Sequence, residues 1–113
     1  MRGSMLETLF GSVNKERVLI YLHARGEGYA REIARHFSSS LQPIQQQLDN
    51  LERGGLIFSK KTGTVRLYQL SPRYPFKAEL EALLDKALSF YEPEQKEALL
   101  LDRRRPRARS KPL

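Results

Sequence analysis

Three glutamines, Gln42, Gln45 and Gln46, stand on the stretch SLQPIQQQLDNLERGGLI, which carries little charge around them. A glutamine amide donates and accepts at once, so it can pair bidentately with N6 and N7 of an adenine while adding no Coulomb attraction. Cations flank the stretch: Arg31 and Arg35 precede it, and Lys60, Lys61 and Arg66 follow it. Such groups grip phosphate oxygens, and the hydroxyls of Ser39, Ser40, Thr62 and Thr64 can bond the same oxygens. Neutral amides for base edges and cations for a backbone are the set that a nucleic-acid duplex requires. Each residue also has a plainer reading. Glutamines are ordinary solvated helix formers, serines between helices serve as turn and cap, and lysines on an edge strand deter aggregation. Five cations around one neutral helix favour binding collectively.

Catalysis finds little support. There is no phosphate-cradling glycine loop, and His23 and His36 fall on separate predicted helices without the i, i+4 spacing of a metal site. Both histidines read as surface or partly packed residues. The acidic residues read as helix-surface charge. With no cysteine, thiolate metal sites and disulfides are excluded, which fits a reducing cytoplasm. No enzyme, metal or cofactor is expected.

The chain has 113 residues, the size of one domain, and a net charge of +7. That charge is unevenly divided. Residues 1–73 hold 11 Lys and Arg against 6 Asp and Glu, residues 74–102 hold 3 against 7, and residues 103–113 hold 6 against none. The first segment (+5) and the tail (+6) attract a polyanion, while the segment between them (−4) repels one. No apolar run approaches the roughly 20 residues that cross a bilayer, and the N-terminus lacks a signal-peptide core, so a cytoplasmic protein without a membrane partner is expected. Met1 to Ser4 read as a cloning remnant, with Met5 as the natural start.

The elements that must position these groups follow from periodicity. Leu6 to Ala24 reads as helical, with a break at Gly11 and Ser12 and a cap at Asn14. Tyr29 to Phe37 gives a short helix with Arg31, Glu32, Arg35 and His36 outward. In the next stretch Leu41, Ile44, Leu48 and Leu51 form an amphipathic seam, which turns Gln42, Gln45, Gln46 and Asp49 outward. Pro43 is tolerable only in a first turn, which places the cap at Ser40. Two helices joined by so short a turn cross steeply, as a helix-turn-helix. Leu56 to Lys61 and Val65 to Leu70 flank Thr62-Gly63-Thr64 and read as a hairpin. Leu80, Leu83, Leu84, Ala87, Leu88 and Tyr91 mark a further amphipathic helix, and a last short one starts at Pro93. Residues 103–113, too poor in apolar groups to fold, are expected to be disordered. The tail could add sequence-blind affinity for DNA, bind RNA, or aid solubility.

From Leu9 to about Leu88 the chain resembles the ArsR-like winged helix-turn-helix transcriptional regulators. The residues that carry this are LFGSVNKERVLIYL, YAREIARHF, SLQPIQQQLDNLERGGLI, VRLYQL and SPRYPFKAELEALL. The opening LFGS and the last piece look most like the subgroup often found beside nucleotidyltransferase-like proteins. The resemblance implies a mainly α fold with a small β-hairpin: a winged helix-turn-helix over residues 5–73, a C-terminal helical dimerisation segment over 74–102, and the basic tail. It further implies a homodimer on a two-fold symmetric operator, most often as a repressor. On the family's pattern the reading-helix positions are Ser39, Ser40, Gln42, Pro43, Gln45 and Gln46, and the wing tip runs from Lys60 to Arg66. The family's founding arsenic sensors carry cysteine or histidine ligands that have no counterpart here, so metal sensing is not expected. Leu6, Leu9, Phe10, Leu80, Leu84, Leu88 and Tyr91 are the expected dimer contacts, with an internal core as the alternative for the leucines. The rival to a DNA-binding regulator is a winged protein-interaction module that docks a nucleotidyltransferase-like partner; a third reading is RNA binding through the tail.

Overall fold

A computed structural model of the chain describes residues 5–100. Met1 to Ser4 and the basic tail lie outside the described residues. Among the described residues, six helices and a three-stranded antiparallel sheet follow in the order α1 (Glu7–Phe10), α2 (Val13–Arg25), β1 (Gly28–Tyr29), α3 (Ala30–His36), α4 (Leu41–Arg53), β2 (Ile57–Thr62), β3 (Val65–Leu70), α5 (Lys77–Ser89) and α6 (residues 93–100).

α2 is the central element. Val18, Leu19, Ile20, Tyr21, Leu22 and Ala24 are all buried, so the helix is covered on nearly every side and shows no simple amphipathic stripe. Its cap is Ser12, not Asn14: the Ser12 hydroxyl accepts from the Lys15 N–H at 3.1 Å, one residue before the helix begins. Gly26, at φ +92°, ends the helix in a conformation that glycine adopts without steric penalty. On α4 the expected seam holds, with Ile44, Leu48 and Leu51 buried, and Pro43 is its third residue, within the first turn. α3 and α4 are separated by four residues, of which Ser38 takes φ +54°, a left-handed conformation that reverses the chain sharply.

The expected two-stranded hairpin is the larger part of a three-stranded sheet. Strand order is β1-β3-β2, with Gly28 opposite Tyr68 and Tyr29 opposite Leu67. The hairpin closes at Gly63-Thr64, where Gly63 has φ +66°; a positive φ at the first loop position alone is the pattern of a type II′ turn. β1 is only two residues long, yet it fastens the start of α3 directly to the central strand.

A single core gathers residues from both ends of the chain: Leu6, Leu80, Leu84, Ala87, Tyr91 and Leu99 pack with the α2 and α4 seams. Polar links to α2 reinforce it. The buried Glu16 carboxylate accepts from the Leu6 N–H at 3.1 Å and from the Tyr91 hydroxyl at 2.9 Å. Arg25 donates to the Leu99 carbonyl at 3.0 Å and to the Tyr21 hydroxyl. His23 Nε2 lies 2.6 Å from Asp85 on α5. Glu16 corrects the reading of every carboxylate as surface charge: it is fully buried, and its two donors offset the loss of water.

The inward turn of these residues also corrects the expected dimer contacts. Leu6, Leu80, Leu84 and Tyr91 are buried within one protomer because α5 and the residues after it fold back on α2. Phe10 and Leu88 are partly buried against the same core. Of the seven, Leu9 alone is largely exposed, at 64%.

Candidate nucleic-acid interface

α3, α4 and the hairpin enclose an open cleft of about 600 Å³, lined among others by Arg31, Arg35, Leu41, Gln45, Arg66 and Tyr68. Arg31 and Arg35 are both exposed and one turn apart on α3. Among the described residues neither has a carboxylate at ion-pair distance, and the same holds for Lys60 and Lys61. Glu32, their neighbour, turns its carboxylate back to the helix start, where it accepts from the Tyr29 N–H at 3.1 Å. A second depression of about 260 Å³ shares Arg31 and Arg35 and reaches Ser39. The two arginines thus form the wall between two concavities.

Strand alternation decides which hairpin side chains join this face. Directly opposed residues share a face, so Ile57 with Leu70, Ser59 with Tyr68, and Lys61 with Arg66 form one row from the core outward. Lys61 and Arg66 are like charges held opposite each other, an arrangement that destabilises a hairpin unless an anion relieves it. Arg66 Nη1 donates to Ser59 Oγ at 3.1 Å, which donates in turn to Glu52 Oε2 on α4 at 2.8 Å. This relay ties the hairpin to α4. Lys60 sits opposite Leu67 on the other face, while Thr62 and Thr64 are exposed at the tip.

On α4, Gln42 and Gln46 are exposed, and among the described residues their amides have no partner. Gln45 differs. Its Nε2 donates both to Asp49 Oδ1 and to the Tyr68 hydroxyl, each at 3.1 Å. A carboxylate only accepts, so the nitrogen must face Asp49, and both amide hydrogens are in use. Gln45 then offers only its oxygen outward. It can accept from adenine N6 or cytosine N4 but cannot make the bidentate adenine pair expected of it. Pro43 is half-buried beside them. Gln47, half-buried, has its Oε1 buried with no partner among the described residues.

At the start of α4, Ser40 occupies the cap position but its side chain makes no cap bond, and the Ser39 hydroxyl donates to the Ser40 carbonyl at 2.9 Å. Among the described residues the Leu41 and Gln42 N–H groups have no acceptor, which leaves the positive end of a 13-residue helix open to an anion. Sequence reasoning overlooked Tyr68, which orients Gln45, although alternation along β3 places it on the same face as Arg66.

Among the described residues no group of three or more His, Asp or Glu side chains stands where it could hold a metal ion, and no helix is long and apolar enough to cross a membrane. No protein-family model matches the sequence, and no curated protein matches it.

Proposed function

We propose that this chain is a winged helix-turn-helix protein that binds double-stranded DNA sequence-specifically and regulates transcription, as a dimeric repressor. The observation that carries this reading is the pairing of two amides, Gln42 and Gln46, with three cations on the same side, Arg31, Arg35 and Lys61, all of which lack side-chain partners among the described residues. A major groove about 12 Å wide admits one helix, and α4 is the exposed, near-neutral candidate. In this reading Gln42 and Gln46 pair with bases, and Gln45 adds an acceptor of fixed direction. Arg31 and Arg35 take phosphates on one side of the groove, and Lys60, Lys61 and Arg66 take the backbone or the minor groove on the other, with Thr62 and Thr64 at the tip. The open N-terminus of α4, beside Ser39 and Ser40, takes a further phosphate. The two α4 helices of a dimer lie about 34 Å apart to meet successive major grooves.

Dimerisation draws support from apolar residues left uncovered. Phe76 is 62% exposed and Phe90 57% exposed. Phe76 and Phe90 cap the two ends of α5, and with the half-buried Leu83 between them they recur every seven residues, a spacing suited to packing against another helix. The same exposed residues favour the second reading, a module that docks a different protein through this face.

Selection from random duplexes at moderately high salt tests the proposal. A DNA-binding regulator recovers an inverted repeat and keeps its preference as ionic strength rises. A binder driven by the basic tail loses affinity uniformly and recovers no motif. In that event the docking module becomes the better reading.

A further inference from the structure

The cleft between α3, α4 and the hairpin has a composition that a passing phosphate backbone does not call for. Exposed Arg31, Arg35 and Arg66 stand at its rim, whereas half-buried Ala30 and Leu41 and the 3% exposed Tyr68 line its depth. A duplex backbone meets charge at a rim and has no use for apolar walls behind it. A concavity of about 600 Å³ with a mainly apolar interior and a few convergent polar groups has the size and character of a small-molecule site. Tyr68 supplies a specific handle. Its hydroxyl accepts from Gln45, and among the described residues its own proton has no acceptor. A hydroxyl so placed, at the tip of a side chain otherwise buried, can donate to a ligand oxygen in the cleft. Three arginines line the cleft against one carboxylate, Glu32, whose Oε1 is turned to the Tyr29 N–H, so the cleft keeps a positive balance.

The geometry points to a binding site for a ring-bearing phosphate monoester of the nucleoside monophosphate kind. Its phosphate, with a charge of about −2 near neutral pH, lies among the three guanidinium groups in charge-assisted pairs. Its ring lies against Leu41 and Tyr68, and one of its oxygens accepts the Tyr68 proton. Because the same arginines serve the DNA backbone in the function proposed above, an occupied cleft excludes the duplex; that consequence, though not the site itself, rests on the DNA reading.

The test titrates the full-length protein, without DNA, with a nucleoside monophosphate, the matching nucleoside and inorganic phosphate, and follows backbone amide resonances. The monophosphate is expected to shift Ala30, Leu41, Val65 and Tyr68 saturably, and each fragment alone to bind at least about tenfold more weakly. Tyr68→Phe lowers affinity about fivefold, the effect of one neutral hydrogen bond, and Arg31→Ala with Arg35→Ala lowers it about a hundredfold, both without loss of the folded spectrum. Equal affinity for inorganic phosphate, or an unchanged titration in Tyr68→Phe, overturns the site and assigns the binding to general surface charge. A selected duplex is then added. Its displacement by the monophosphate in the unaltered protein, with about fivefold more monophosphate needed in Tyr68→Phe, supports the proposal further. Ligand binding with no duplex ever recovered leaves the cleft site standing and removes only the DNA reading.

Discussion

Gln42→Ala combined with Gln46→Ala separates recognition from attraction. In the proposed DNA-binding role each of these amides is worth about 1–3 kcal/mol of discrimination between bases, so the double variant should relax the selected motif, while the slope of log affinity against log salt should stay unchanged because amides displace no counterions. Arg31→Ala with Arg35→Ala gives the opposite pattern: the motif is kept, affinity falls for every sequence, and the slope shrinks by about 2. Gln45 does not belong in the first pair, since its loss also releases Tyr68. Its restriction was illegible in the sequence because Tyr68 lies 23 residues away, and helical spacing reports only which face a residue occupies. Glu16 escaped for the same reason, with Tyr91 75 residues distant. Burial, together with the Glu16 carboxylate beside it, pushes the Tyr91 phenol well above its usual range. The unfolded phenol ionises near pH 10 and the folded one resists, so this contribution is fully present below about pH 10 and falls as pH rises further. Urea unfolding from pH 8 to 11 should therefore show an alkaline decline that is smaller in Tyr91→Phe, which is itself less stable at neutral pH by about 1.5–3 kcal/mol.

The helices were readable where one face is buried and the other wet. The α4 seam of Ile44, Leu48 and Leu51 fixed its orientation, and glycines and serines marked its ends. β1 was not readable, because two residues cannot display a period, and the strand exists through its pairing with β3. Gly28 records that dependence. A Cβ there would come within 2.6 Å of Cε1 of the buried Tyr21 ring, so Gly28→Ala should destabilise the protein by about 1–3 kcal/mol and weaken amide-exchange protection at Tyr68 and Leu67. In the hairpin, Lys61 opposite Arg66 sacrifices stability for positive charge. Lys61→Glu should raise the thermal midpoint, by up to about 1 kcal/mol in stability, yet lower duplex affinity; a variant that lost both would show that the pair has some other structural purpose.

In the molecule as a whole the charge divides along the chain, whereas exposed apolar side chains stand on both parts, with Leu9 and Val65 on the basic one. The residues before 74 carry the basic excess and the proposed DNA face, and the acidic residues 74–100 carry Phe76 and Phe90. Amphipathicity alone marked α5 as apolar on one side but could not tell a protomer core from a partner, and Leu80 and Leu84 proved to serve the core. If the chain forms the proposed dimer through this face, Phe76→Ser with Phe90→Ser should shift the sedimentation coefficient from dimer to monomer without changing the circular dichroism spectrum; an unaltered dimer would place the contact elsewhere, and a monomer before substitution would remove the dimer from the proposal. β1 has a mechanical consequence at this scale. Because the backbone at Tyr29 is stitched to Leu67 immediately before α3 begins, and Ser59 bridges the hairpin to Glu52, the arginines of α3 and the cations of the hairpin cannot swing apart independently. The assembly behaves as a fixed-jaw calliper. In the proposed DNA-binding role, a duplex that had to be squeezed or spread to fit between the jaws would be penalised at base pairs no side chain touches, so tract stiffness and groove width would bias site choice alongside the letters themselves.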